Sequence, residues 1–286
     1  MGRFHRHDND HDHHHHHDEH EHDHHYGEGY SHTHEHSHGQ GHWHTHEHSH
    51  SQGKEHLGDH SGYETSRERI SVLEDIFSEN DRLADSNRHA FSEHGIVAIN
   101  VMSSPGAGKT ALLEKTLAHL HQKVRIGVVE GDIETALDAD RLTNMGAQIS
   151  LVNTGKGFGG ECHLDAPMVA AALKNLTLDA LDLVFIENVG NLVCPAEFEV
   201  GEHHKVMVAS VTEGEDKPLK YPVMFRSVDV VIVNKIDLLP YLDFDMDLFI
   251  KNIRQVNPEA RVILLSTKTG EGMENFYDWI TTVVPS

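Results

Sequence analysis

The sequence predicts an α/β protein in which a mostly parallel sheet carries helices on both faces, preceded by a histidine-rich tail that joins no core. Three observations lead to this reading. Short continuous apolar runs recur between residues 96 and 265, most of them followed by helical periodicity, as expected for strands buried on both faces of a sheet. The first run opens directly into Ser103-Ser104-Pro105-Gly106-Ala107-Gly108-Lys109-Thr110, a phosphate-binding loop. Residues 1–60 are almost entirely polar and hold 23 of the 30 histidines. Without apolar periodicity, nothing there offsets the entropy of ordering the chain.

In the tail, His13, His14, His15, His16 and His17 form a run, and the heptapeptide His-Thr-His-Glu-His-Ser-His occurs twice, at 32–38 and 44–50. His32, His34, His36 and His38, like His44, His46, His48 and His50, alternate with small or acidic residues. Several imidazoles therefore share one side whenever the chain extends. Imidazole ligates Ni²⁺, Cu²⁺, Zn²⁺ and Co²⁺, and Asp12, Asp18, Glu19, Glu35 and Glu47 lower the cost of gathering divalent cations. A cloning tag is a single short run, and a solvating tail needs no repeat. The tract reads instead as a disordered metal buffer over 1–60.

From 61 to 94 the pattern changes to a helix packed on the following domain. Ile70, Leu73, Ile76, Phe77, Leu83, Ala84 and Phe91 recur at helical spacing, and Gly95 stands at the C-cap position. Residues 95–286 then form the nucleotide domain. Strands are expected at 96–102, 126–130, 148–152, 183–187, 206–211, 230–234 and 262–265. Helices are expected after the phosphate loop, from Thr135, and from Asp165 to Leu176. In such a sheet the ligand sits beyond the carboxyl ends of the strands.

Composition excludes several function classes. A formal charge of −23 without a Lys/Arg cluster opposes nucleic-acid binding. Two cysteines, Cys162 and Cys194, rule out a disulfide framework and suit a reduced compartment. No run of about 18 apolar residues and no apolar signal core occur, so a cytoplasmic protein independent of membranes is expected.

In the phosphate loop, Gly106, Ala107 and Gly108 let backbone N–H groups turn toward phosphate oxygens. Lys109 reaches the β/γ-phosphates and Thr110 ligates Mg²⁺. Ser103 stands where most such loops have glycine. Asn234-Lys235-Ile236-Asp237 follows a later strand, and Ser266-Thr267-Lys268 follows the next. A carboxylate at Asp237 can accept from both N1–H and the 2-amino group of guanine, donors that adenine lacks, while Asn234 and the Lys235 stem fix loop and base. The nucleotide is therefore GTP or GDP. Asp132, in Glu130-Gly131-Asp132, is the candidate second contact to Mg²⁺. Glu187, in Glu187-Asn188-Val189-Gly190, is the candidate for polarising water or supporting the Mg²⁺ shell, and the Gly190 amide for sensing the γ-phosphate. Capping of the following turns is the competing role for both acids. No arginine finger is evident, so slow intrinsic hydrolysis is expected. Lys217 and Lys220 read as solvated surface lysines.

Cys162-His163 lies in a glycine-rich loop after the third strand, and Cys194 lies shortly after Glu187. Thiolates and an imidazole can converge there on a metal ion; two unrelated small buried cysteines are the competing reading. Three donors leave a site incomplete, and a two-fold axis between two chains would complete it. Metal and GTP then both drive dimerisation, and hydrolysis can deform the metal site.

Taken together, Ser-Ser-Pro-Gly-Ala-Gly-Lys-Thr at 103–110, Glu-Gly-Asp at 130–132, Cys-His-Leu-Asp-Ala at 162–166, Glu-Asn-Val-Gly-Asn-Leu-Val-Cys-Pro at 187–195 and Asn-Lys-Ile-Asp at 234–237 resemble the HypB family. These are SIMIBI-type P-loop GTPases that deliver nickel during [NiFe]-hydrogenase maturation. The resemblance spans about residues 65–286. It implies a nucleotide-dependent homodimer, a Ni²⁺/Zn²⁺ site made by Cys162, His163 and Cys194, and a small zinc-containing nickel chaperone as partner, acting on the hydrogenase large subunit or its maturation complex. Some members carry a cysteine-rich nickel motif at the extreme N-terminus; this chain has no cysteine there. The urease accessory GTPase is less similar, because its metal motif is Cys-Pro-His, whereas here Cys162 adjoins His163 directly. A metal-storage protein with the nucleotide domain as scaffold is the alternative of a different class.

Overall fold

The computed structural model describes residues 31–38, 42–49, 66–131, 142, 145–152 and 162–284. The chain divides into two units, Met1–Glu64 and Thr65–Ser286.

The first unit contains β1 (Ser31–His38) and β2 (His42–Ser49), paired antiparallel. Their register sets His32 opposite His48, His34 opposite His46, His36 opposite His44 and His38 opposite His42. The sequence reading expected no regular structure here. Alternation of histidine with Ser, Thr and Glu has the period of an extended strand, and two copies flanking a glycine-containing segment can satisfy each other's backbone groups without a core. His13, His14, His15, His16, His17 and His50 lie outside the described residues.

The second unit begins with α1 (Ser66–Glu93). Gly95 takes φ +68°, and Ile96 N–H donates to Phe91 O at 2.9 Å, closing the helix end as its sequence position predicts. Seven parallel strands follow: β3 (Val97–Ser103), β4 (Ile126–Glu130), β5 (Gln148–Leu151), β6 (Leu183–Glu187), β7 (His204–Ser210), β8 (Val230–Asn234) and β9 (Arg261–Leu264). Their order is β5-β4-β6-β3-β7-β8-β9. Each expected strand is present within one or two residues.

Alternate residues of the central strand serve opposite faces. Ile99 and Val101 pack with Leu113, Leu117 and Leu120 of α2 (Lys109–Leu120) and with Phe276 and Ile280 of α8 (Met273–Val283). Ala98 turns to the other face, with Phe91 of α1 and Val169 of α3 (Ala166–Leu173). Met102 joins Phe225 of α6 (Pro222–Ser227) and Phe249 of α7 (Met246–Val256). Burial on both faces explains why these strands read as continuous apolar runs. Two short helices, α4 (Cys194–Glu197) and α5 (Lys217–Lys220), lie in the connections.

Asp165 caps α3, its Oδ1 accepting from Met168 N–H at 2.8 Å. The helix ends at Leu173 rather than Leu176, since the chain turns through a 3₁₀ segment at Leu178–Ala180 into β6. The helix expected from Thr135 lies outside the described residues. Among the described residues, no helix is long and apolar enough to cross a membrane.

Candidate nucleotide and metal site

The motifs meet at the carboxyl ends of the strands. Between β3 and α2, Gly106 and Gly108 take φ +72° and +108°, backbone states that favour glycine. A Cβ on Gly108 would come 2.4 Å from Asn234 Nδ2. Lys109 is buried, and its Nζ donates to Ser103 Oγ at 3.0 Å. The unusual serine therefore gives the lysine an acceptor that glycine would not. Thr110 Oγ1 donates to Glu187 Oε1 at 2.7 Å.

The base-recognition segments close against this loop. Asn234 Nδ2 donates to Ala107 O at 2.9 Å, and its Oδ1 accepts from Lys235 N–H and Thr267 N–H. Lys235, at φ +66°, sends its Nζ to Gly106 O at 2.7 Å. Ser266 Oγ donates to Asp237 Oδ1 at 2.6 Å, which fixes the carboxylate. Lys268 sits exposed on the following turn.

Glu130 and Glu187 are both buried and stand opposite each other in the β4–β6 register, and Glu187 accepts from the Thr110 hydroxyl. Two carboxylates and a hydroxyl are hard oxygen donors, the kind Mg²⁺ takes, so the residues present fit that ion. Asp132 lies outside the described residues. Gly190 packs on the loop: a Cβ there would come 3.1 Å from Pro105 Cα.

Cys162, His163 and Cys194 converge, with their donor atoms within 4.8 Å of one another. The two sulfurs lie 2.8 Å apart, and Cys162 Sγ lies 3.6 Å from His163 Nδ1. The reading of two unrelated buried cysteines is therefore replaced by one mixed thiol and imidazole cluster, of the donor type that takes Ni²⁺ or Zn²⁺. The adjacent Cys162 thiol, and secondarily burial, raise the Cys194 thiol above its ordinary range, so a cation binding there must displace protons. His163 packs tilted on Phe198, 4.1 Å between ring centroids, and Phe198 meets Phe77 of α1 at 5.1 Å.

Residues 97–264 match the model of the CobW/HypB/UreG nucleotide-binding domain. The hydrogenase maturation factor HypB of Rhizobium leguminosarum bv. viciae is 52% identical over 216 residues, 75% of this chain and 71% of that protein. The chain belongs to the HypB family. Its P-loop GTPase domain is therefore the family's nucleotide engine. Crystal structures of HypB from Archaeoglobus fulgidus (TM-score 0.68, 39% identity, 73% of this chain and all of that one) and of HypB from Helicobacter pylori in complex with nickel (TM-score 0.66, 37% identity, 71% and 94%) have the same fold.

Some residues of this family member were not visible as site residues in sequence. Glu213 Oε2 accepts from Ser104 Oγ at 2.6 Å and pairs with Lys217 Nζ at 3.3 Å. Lys217, expected as a solvated surface lysine, is thus largely covered and tied to the loop, whereas Lys220 is 63% exposed beside Asp216. Phe198 packs against His163 of the metal cluster and is backed in turn by Phe77. A lone phenylalanine on an amphipathic helix carries no signal for such a role.

Proposed function

We propose that the chain is a GTP-hydrolysing nickel metallochaperone that supplies Ni²⁺ during [NiFe]-hydrogenase maturation, working as a homodimer in the cytoplasm. The observation that carries this reading is the span 187–194. Glu187 at its start accepts from Thr110 of the phosphate loop, and Cys194 at its end faces Cys162. One short piece of chain joins the nucleotide to the cargo ligands, so a change at the γ-phosphate can alter the grip on nickel.

Asp237, held by Ser266, selects guanine. Lys109 offers its ammonium to phosphate oxygens and neutralises charge developing on them, while Asp132 and Glu187 orient the attacking water and the metal shell. Mg²⁺, held by Thr110 and these acids, supplies further neutralisation when bound. No arginine occurs in the loop or in the strand-end motifs, so intrinsic hydrolysis is slow. Cys162, His163 and Cys194 take Ni²⁺ as cargo, with Zn²⁺ as competitor, and a second copy of the chain completes the ligand set. The solved HypB with nickel supports this cargo. A small zinc-containing nickel chaperone and the hydrogenase large subunit or its maturation complex are the partners on either side of the transfer.

Sedimentation of the full chain with Ni²⁺ tests the proposal. A dimer is expected with a non-hydrolysable GTP analogue, loosening with GDP; a mass independent of nucleotide would sink it. The tail acts as the nickel store, and since a free imidazole titrates near ~6.5, bound metal gives way to protons as pH falls. Nickel capacity of the full chain should drop several-fold between about pH 7.5 and about pH 5. Equal capacity at the two pH values would remove the store.

A further inference from the structure

We propose that Asn188, assisted by Asn191, is a positioning residue that transmits nucleotide state to the Cys162-His163 half of the metal cluster; this rests on the nucleotide-gated reading above. Asn188 is fully buried at the end of β6, next to Glu187. Its Oδ1 accepts from Leu164 N–H at 3.0 Å and from Val189 N–H at 2.9 Å. The first of these bonds holds the residue that directly follows His163. The second holds the residue before Gly190, which packs on Pro105 of the phosphate loop. One carboxamide oxygen therefore grips both the nucleotide segment and the metal loop.

The orientation of that carboxamide is dictated from below. Glu202 is a buried carboxylate that accepts from Val200 N–H at 2.8 Å and from Asn100 Nδ2 at 3.0 Å, with Lys205 Nζ 3.7 Å away. Asn100, on β3, must donate to Glu202 and so turns its oxygen to Asn188 Nδ2, at 3.3 Å. Asn188 is left with its oxygen for Leu164. A flip of either amide would set like groups against each other at a fully buried position.

The metal loop must follow Asn188. Leu164 N–H lies in the core, and leaving it without an acceptor is costly. The Leu164 side chain fills the space over Gly131, where a Cβ would come within 2.7 Å, so the loop is seated on the end of β4 as well. Asn191 Nδ2 adds a second tie, donating to Cys162 O at 3.2 Å. Cys194 shares the Asn191 tie, since Asn191 Oδ1 accepts from Val193 N–H at 2.9 Å and its side chain also bonds Cys194, but it has a further anchor that Cys162 and His163 lack: Leu192 and Ala196 pack with Met102, Met207 and Val211 on the other half of the sheet. A displacement of 188–190 at the nucleotide then moves Cys162 and His163 relative to Cys194 and changes the donor geometry.

The test measures nickel affinity of the full-length protein with GDP and with a non-hydrolysable GTP analogue, for wild type and Asn188→Ala. The thiolate-to-nickel charge-transfer band is the readout, because nickel bound only by tail histidines lacks it. A wild-type ratio between the two nucleotide states of about 5- to 150-fold is expected, the usual size of a coupling between sites. In Asn188→Ala the ratio should collapse to about one. A parallel loss in both states that preserves the ratio means a merely structural role and overturns the proposal. If circular dichroism shows Asn188→Ala unfolded, Asn191→Ala, at a half-buried position, decides: a ratio reduced at least about threefold supports the tie, and an unchanged ratio overturns it. A wild-type ratio of one overturns the nucleotide-gated reading itself, an outcome distinct from a wild-type ratio that survives substitution.

Discussion

Cys194→Ala lowers nickel affinity at the thiolate cluster by at least about 100-fold. Outer partners of a metal ligand typically cost 10- to 100-fold when removed, so loss of the ligand itself should reach or exceed the upper end. Cys194 has no substitute nearby: the chain has only two cysteines, and among the described residues this is the cluster of three or more His, Cys, Asp or Glu able to hold an ion. The remaining pair, Cys162 and His163, are sequence neighbours on one loop and cannot enclose a cation. The charge-transfer band should vanish at nickel concentrations that saturate the wild type. A loss of only a few-fold would mean that nickel is held elsewhere.

Asp237→Asn weakens GTP by about 100-fold or more and brings in xanthosine triphosphate. In the guanine-reading role proposed for it, the carboxylate accepts two hydrogen bonds from the base, each worth about 1.5–3 kcal/mol when the acceptor is charged. Losing roughly 3 kcal/mol corresponds to about two decades in affinity. A carboxamide turns one acceptor into a donor, which repels the guanine 2-amino group but matches the 2-oxo group of xanthine. Ser266 Oγ still finds an oxygen at this position, so the side chain stays oriented. Titration of the two nucleotides against the variant reads the exchange. If GTP affinity stays within a few-fold and xanthosine triphosphate gains nothing, Asp237 is not the base reader.

The sheet was legible because its strands are buried on both faces, which leaves Ile96–Met102, polar only at Asn100, and Val230–Val233 as short, dominantly apolar runs. Asp165 and Gly95 marked helix ends because capping and left-handed backbone are local chemistry, written within three residues of where they act. That the phosphate loop and the Asn234–Asp237 segment meet was legible for a related reason: each follows directly on a strand of the sheet, and those strands end on one edge. Asn188 and Asn100 were not. Their meaning is a bond between side chains 88 positions apart, and neither local periodicity nor motif spacing encodes it. Lys217 misled for the same reason, since the acid that covers it, Glu213, is itself turned inward by Ser104. The β1–β2 ladder was missed because the absence of apolar residues argues against a core, yet leaves backbone pairing open.

That ladder has a further consequence, for tolerance to change in length. Because both repeats alternate histidine with other residues, sliding one strand past the other by two positions still pairs histidine with histidine in the register. A slip of one position sets His34 against Glu47 or Thr45 instead. The tail is thus a zip with interchangeable teeth. Dipeptide insertions and deletions keep histidine paired with histidine, while single-residue ones put the two repeats out of phase. Genetic drift in such a segment is expected to proceed in steps of two.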